Sequence, residues 1–137
     1  VLRAHNTPAA LIEAGGDIVA GHAPRDRRGW RVEVDGADPA FVARASELRN
    51  AALATSGPTE QFVEVDARRY SHVVDPRTGV GVTNGVLVRV IAPDGATADA
   101  LATALTVMDR EQIPPVLASL PEVLVSISST DRPLPPF

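Results

Sequence analysis

Ile91-Ala92-Pro93-Asp94-Gly95-Ala96-Thr97-Ala98-Asp99-Ala100-Leu101-Ala102-Thr103-Ala104-Leu105 is the stretch on which the fold turns. The apolar run that leads into it, Gly85 to Ala92, reads as a strand. Pro93-Asp94-Gly95 is a turn, and a helix follows. On that helix Asp99 and Thr103 are four residues apart, so their side chains lie one turn apart on one face. Leu101, Leu105 and Met108, with Ala98, form a second face about 200° away at about 100° per residue, and that face calls for a core. The first face offers a carboxylate and a hydroxyl, two hard oxygen donors of the kind Mg²⁺ accepts. A plainer role also suits these residues, with Asp99 favouring the positive end of the helix dipole and Thr103 solvated. Spacing leaves both open.

The chain around this stretch has 137 residues, which fits one domain of about 100–200 residues. Hydrophobic residues make up 45% and charged residues 22%, a balance that argues against disorder. With one Trp, one Tyr and three Phe, the core must rest on Val, Leu, Ile and Ala. Arginine supplies all thirteen basic residues, and the net charge is −4. That is no footprint for nucleic acid or an anionic membrane. The absence of cysteine excludes disulfides, thiol catalysis and zinc–thiolate sites. No apolar run approaches the roughly 20 residues of a membrane helix, and no signal peptide is visible.

Taken in order, Val1 to Ala14 reads as the end of a helix stopped by Gly15-Gly16. Ile18 to Gly21 is a short buried strand, and Pro24 to Gly29 a charged turn. Trp30-Arg31-Val32-Glu33-Val34 alternates apolar and charged, the pattern of a half-exposed strand. Asp35 to Pro39 is a loop. Phe41 to Thr55 is ambiguous: its first part fits a helix, and Asn50 to Thr55 a strand of small residues. Phe62 to Asp66 and Arg69 to Val74 form a hairpin around Ala67-Arg68. Tyr70, His72 and Val74 share one face of the second strand, and Ser71, Val73 and Asp75 the other. Asp75-Pro76-Arg77-Thr78-Gly79 is a turn, with Pro presetting its second position and Gly closing it. After the central helix come a short helix (Val116 to Leu120), a strand (Val123 to Ser128) and a proline-rich tail, Asp131 to Phe137. Strands and helices are mixed and hairpins prominent. The fold class is α+β, mostly antiparallel sheet with helices packed on it, in a single domain over 1–137.

Four clusters place polar groups beside glycine or in pairs: Gly15-Gly16-Asp17, Thr55-Ser56-Gly57, Ser71 to Gly79, and Asp99 with Thr103. Glycine lets backbone approach a ligand, and successive free N–H groups cradle phosphate. His72 reads as a packing residue, or as a proton acceptor or phosphate contact whose reference pKa lies near neutrality. Arg77 is either a solvated turn residue or a fork for phosphate oxygens. No P-loop or dinucleotide fingerprint is present.

Together, and in this order, these segments resemble the C-terminal half of the ApbE-like flavin transferases, the FAD:protein FMN transferases. The match runs from about Leu11 to Val107. It is carried by Ala14-Gly15-Gly16-Asp17, Trp30-Arg31-Val32, Ala54-Thr55-Ser56-Gly57, Arg69 to Gly79, and Ala98-Asp99-Ala100-Leu101-Ala102-Thr103-Ala104-Leu105. The resemblance implies one incomplete domain of that fold. It implies a Mg²⁺-dependent enzyme that moves FMN from FAD onto a threonine of an acceptor flavoprotein, releasing AMP. Some members instead split FAD into FMN and AMP, and a non-catalytic flavin-binding domain is a third reading. By resemblance, Asp99 and Thr103 are metal ligands, Ser56 and Gly57 lie beside the nucleotide, and His72 sits at the flavin site. With Arg77 as a further cofactor contact, His72 is also the candidate base for the threonine proton.

Two departures stand out. Pro58-Thr59-Glu60-Gln61 occupies the place where the family often carries an acidic and aromatic pair. The family's N-terminal half, with a flavin-contacting segment and a Lys-Gly stretch near the metal, has no counterpart in this sequence. The chain starts at Val1 without methionine, and a fragment or one piece of a cleaved protein is expected, with that half as its partner. Many relatives are exported bacterial lipoproteins of the cell envelope or periplasm. This chain has no cysteine to lipidate, so its sequence leaves localisation open.

Overall fold

A computed structural model describes residues 2–34, 38–58 and 61–129. The chain begins with a 3₁₀ turn, Leu2–His5, then a hairpin of β1 (Leu11–Ala14) and β2 (Asp17–Ala20), and then α1 (Pro39–Ala45) and β3 (Ala51–Ser56). Two small hairpins follow: β4 (Phe62–Val65) with β5 (Arg68–Ser71), and β6 (Val74–Asp75) with β7 (Val80–Gly81). The remainder is β8 (Val86–Ala92), α2 (Gly95–Val107), a 3₁₀ turn at Arg110–Gln112, α3 (Ile113–Ala118) and β9 (Leu124–Ser129). The main sheet has the order β1-β2-β3-β8-β9, and every neighbouring pair in it is antiparallel. The α+β class read from the sequence is the one the chain adopts.

Alternation along the central strands divides the core in two. Ala52 and Ala54 of β3, with Val88, Val90 and Ala92 of β8, face α2 and meet its Ala98, Ala102 and Leu105. Ala51, Leu53 and Ile91 point the other way, against Phe41 and Ala45 of α1, with Leu48 and Val32. The α2 contact is lined by alanine on both sides. Methyl groups allow backbone and sheet a close approach, and α2 lies across β3 and β8. Asp94 starts the helix: its carboxylate accepts from the Thr97 N–H at 3.0 Å and the Thr97 hydroxyl at 2.8 Å. These two bonds hold the Asp94 carboxyl below the usual carboxylate range.

The N-terminal helix expected up to Ala14 is not formed. Leu11 to Ala14 pair with Asp17 to Ala20 in a hairpin. Gly15 and Gly16, at φ +63° and +93°, are its two-residue turn rather than a helix stop; such turns require positive φ at both central positions. Pairing continues back to Pro8, whose carbonyl accepts from the His22 N–H at 2.8 Å. The strand expected at Trp30–Val34 is also absent. Its alternation buries Val32 and exposes Arg31 and Glu33, but among the described residues its one bridge is Trp30 with Leu48. The facing chain is the exit of α1, which has no extended backbone to offer a ladder. The second hairpin turns at Asp66-Ala67, both in the left-handed region, one residue earlier than expected. β5 ends at Ser71, so His72 and Val73 follow it rather than lie within it. The short helix starts three residues before Val116, its first turn carrying Pro114 and Pro115, which suits positions that need no N–H. Asp35 to Ala37 of the expected loop and the proline-rich tail lie outside the described residues.

The alanine floor makes a prediction. Ala102 is fully buried between α2 and the sheet. Replacing it with leucine lowers stability by about 1–3 kcal/mol, read as a shifted urea midpoint with an unchanged m-value.

Candidate functional site

The pairing of β2 with β3 sets Asp17 beside Ala54, two residues beyond the Val19–Ala52 pair. Asp17 therefore stands on the face that carries α2. It is the first residue of β2, so the edge of β3 beyond it, Thr55 and Ser56, is released from its β2 neighbour. The Thr55 backbone N–H donates to the Asp17 carboxylate. Asp99 lies on the flank of α2 turned towards this corner, close enough for its charge to act on Asp17. Thr103 follows one turn on, about 6 Å along the axis. The helix runs back antiparallel to β8, and the Asn84 side-chain amide donates to the Thr106 carbonyl at 2.9 Å where the two meet again. Thr103 is thus displaced towards the Ser56 end of β3.

This corner is polar and unneutralised. Burial pushes the Asp17 carboxyl above its usual range, the Asp99 carboxylate pushes it further, and the Thr55 N–H opposes both. Asp99 and Thr103 are exposed. Among the described residues, neither side chain makes a hydrogen bond or ion pair. Ser56 is buried, with its Cβ on the same face as Ala54. Gly57 is pressed against β8: a Cβ there would meet Leu87 Cδ1 at 2.7 Å and the Val86 carbonyl at 3.0 Å. The donor set of Asp17, Asp99 and Thr103, two carboxylates and a hydroxyl, suits a hard divalent cation in kind. No group of three or more His, Asp or Glu able to hold an ion occurs among the described residues. These three side chains would form part of a coordination shell, with the rest drawn from ligand oxygens and water.

His72 follows β5 directly, and no hydrogen bond or ion pair among the described residues joins it to this corner. Its backbone N–H donates to the Gln61 carbonyl, and its ring Nδ1 lies 3.1 Å from the same oxygen. The ring is exposed. A proton on Nδ1 satisfies that contact and leaves Nε2 as an acceptor. Arg77, in contrast, is occupied within the protein. Its guanidinium donates to Asp75 at 2.9 Å, to Asp109 at 3.0 Å and to the Val107 carbonyl at 3.0 Å. The Asp75 carboxyl is lowered by this side chain and by the Arg77 backbone N–H. Arg77 thereby ties the Pro76–Gly79 turn to the C-terminal end of α2. That geometry makes it a clamp on the turn rather than a free phosphate contact. Asp17, singled out with Gly15-Gly16 but absent from the expected ligands, is the carboxylate that the fold turns towards α2. Its signal was its place after Gly15-Gly16, which only a hairpin reading turns into a position facing α2.

Comparison with known proteins identifies the family and the fold. The sequence model of the ApbE family matches residues 1–127. A FAD:protein FMN transferase of Vibrio cholerae is 38% identical over 105 residues, covering 74% of this chain and 31% of that protein. One of Treponema pallidum is 35% identical, covering 90% and 37%. The solved flavin transferase ApbE from Vibrio cholerae superposes with a TM-score of 0.68 at 30% identity, covering 93% of this chain and 43% of the other. The ApbE protein of Thermotoga maritima gives 0.66 at 32%, covering 89% and 42%. The chain spans about a third of the length of the sequence relatives it matches. On the extent of the match and the agreement of fold, the chain belongs to the ApbE family.

Proposed function

We propose that this chain carries the metal-binding flank of a Mg²⁺-dependent FAD:protein FMN transferase. In such a reaction the bond between the FMN phosphate and AMP breaks. A bond forms from that phosphorus to a threonine oxygen of an acceptor protein, AMP leaves, and the threonine gives up its proton. The observation that supports the reading is the uncompensated corner: Asp17 and Asp99 repel each other, and among the described residues the Thr103 hydroxyl has no partner. Proteins do not keep like charges together without a compensating gain, and a cation with a diphosphate supplies it. When bound, Mg²⁺ would neutralise charge on the phosphate oxygens. Asp99 and Thr103 are assigned as its ligands, with Asp17 added to them. Ser56 and Gly57 bring a hydroxyl and close-packed backbone to the nucleotide. His72 is assigned as the base, taking the threonine proton at Nε2 while the Gln61 carbonyl holds Nδ1. The remaining contacts to the flavin belong to the larger polypeptide that the relatives possess.

The test uses the full-length polypeptide with FAD and Mg²⁺, with and without a threonine-bearing acceptor. FMN bound covalently to the acceptor, with one AMP per FMN, is expected. AMP formed at the same rate without acceptor would make the enzyme a FAD pyrophosphatase instead. Asp99→Ala lowers AMP release by about two orders of magnitude or more; unchanged turnover would remove the metal assignment.

The same corner sets a pH dependence. A carboxyl whose pKa rises on folding stabilises the fold only while protonated. That contribution is complete below the ordinary carboxyl value of 3.8 and is lost as the pH rises through the folded value. At neutral pH without metal, Asp17 therefore weakens the fold. Asp17→Asn raises the Tm at pH 7 by about 1–2 °C, the scale of a like-charge pair in a domain of this size. The gain closes below about pH 4. Thermal scans between pH 3 and 8 check this, and added Mg²⁺ is expected to raise the Tm of the wild type but not of Asp99→Asn.

A further inference from the structure

Among the described residues, strand β4 pairs on one side only. Its partner is β5, with Phe62 opposite Ser71 and Val65 opposite Arg68, and the two form a sheet of their own. The His72 N–H donates to the Gln61 carbonyl, which makes Gln61–His72 a hydrogen-bonded pair. By the alternation of antiparallel ladders, Phe62 and Glu64 then direct their N–H and C=O groups away from β5. No described residue pairs with them. The far edge of β5 is taken, since the Ser71 N–H donates to the Val82 carbonyl at 2.9 Å. Among the described residues, β4 is the open edge of this hairpin.

The two faces of the hairpin differ. On one, Arg69 stacks over the Phe62 ring at 4.3 Å and pairs with Glu64 at 3.4 Å, so that face satisfies itself. On the other lie Val63 and Val65, 62% and 54% exposed. Beside them is Arg68, which stacks on Tyr70 and donates to the Thr83 hydroxyl but has no acidic partner among the described residues. An edge with outward hydrogen-bonding groups, two bare valines and an unmatched cation is a surface for a strand. Nothing in β4 blunts it: there is no proline, lysine or bulge, only a length of four residues. Its start adjoins His72, the candidate base, through Gln61.

We propose that β4 is the docking strand for the acceptor polypeptide. An extended segment adds to its free edge, with small apolar side chains over Val63 and Val65 and an acidic one towards Arg68. The segment is thereby laid out so that its threonine comes to the His72 end. This rests on the transferase reading above and names how that reaction's protein substrate is held. Backbone pairing supplies affinity and the alternate side chains supply selection.

The experiment uses the full-length enzyme. Its acceptor is the unflavinylated form, made in cells lacking the transferase, of the host protein that a covalent FMN otherwise marks as a fluorescent band. Glu64→Pro removes an outward N–H while the inner ladder to β5 stays intact, and Glu64→Ala is its control. Val63→Lys changes the exposed face without touching the backbone. Glu64→Pro and Val63→Lys are expected to lower kcat/KM for the acceptor by about tenfold or more, against no more than about twofold for Glu64→Ala. AMP release from FAD without acceptor should not change. In the wild type, acceptor binding should slow hydrogen exchange at the Phe62 and Glu64 amides. Retained kcat/KM in both variants, or unprotected β4 amides with acceptor bound, overturns the docking proposal while the transferase reading stands. The same holds if the protection arises from a second copy of the enzyme without acceptor. If the wild type releases AMP but labels no acceptor, the transferase reading fails and the docking proposal falls with it.

Discussion

Helix α2 rests on the sheet through alanine against alanine, and the candidate site depends on that closeness. Ala98 and Ala102 share one buried cluster with Ala52, Ala54 and Ala92, which Val88, Val90 and Leu105 complete. Apolar burial of this kind stabilises in proportion to area, but its consequence here is chiefly one of distance. With larger residues in the floor, the flank of α2 would ride higher, and Asp99 would stand clear of β2. As built, the helix is low enough for the Asp99 carboxylate to act on Asp17, which starts the neighbouring strand. The capping bonds from Asp94 fix where the helix begins, and so where along it the carboxylate and the hydroxyl fall.

Much of this was legible in the sequence, for identifiable reasons. The strand–turn–helix from Gly85 to Val107 carries three independent signals: an apolar run, a Pro-Asp-Gly turn, and a repeat that separates Ala98 and Leu105 from Asp99 and Thr103. The strand and the repeat agree with the structure, and the turn does so except that Gly95 already opens the helix. The Asp75–Gly79 turn was readable for the same cause, since proline and glycine each impose a dihedral there, and Gly79 adopts φ +69°. The ambiguous stretch after Phe41 resolved into both of its options in succession, helix and then strand.

What failed was decided by partners distant in the sequence. Leu11 to Ala14 contains good helix formers. Its extended form is set by the Gly15-Gly16 turn and by the residues that return beside it. Trp30 to Val34 alternates like a strand, but the facing segment is the end of a helix. Asp17 was hidden for a related reason, because its orientation follows from the hairpin and its neighbourhood from α2, some eighty residues on. Arg77 illustrates the converse. Its residue type suits phosphate, yet Asp75, Asp109 and the end of α2 take up its donors. Only three-dimensional neighbours reveal that.

The absence of a side chain at Gly57 has its own effect. Leu87 and the Val86 carbonyl occupy the space a Cβ would need, so the segment leaving β3 is pinned flat to the sheet instead of arching over it. A molecule seated on that segment meets a floor rather than a hinge. Its placement is inherited from the strand pair underneath, β3 against β8.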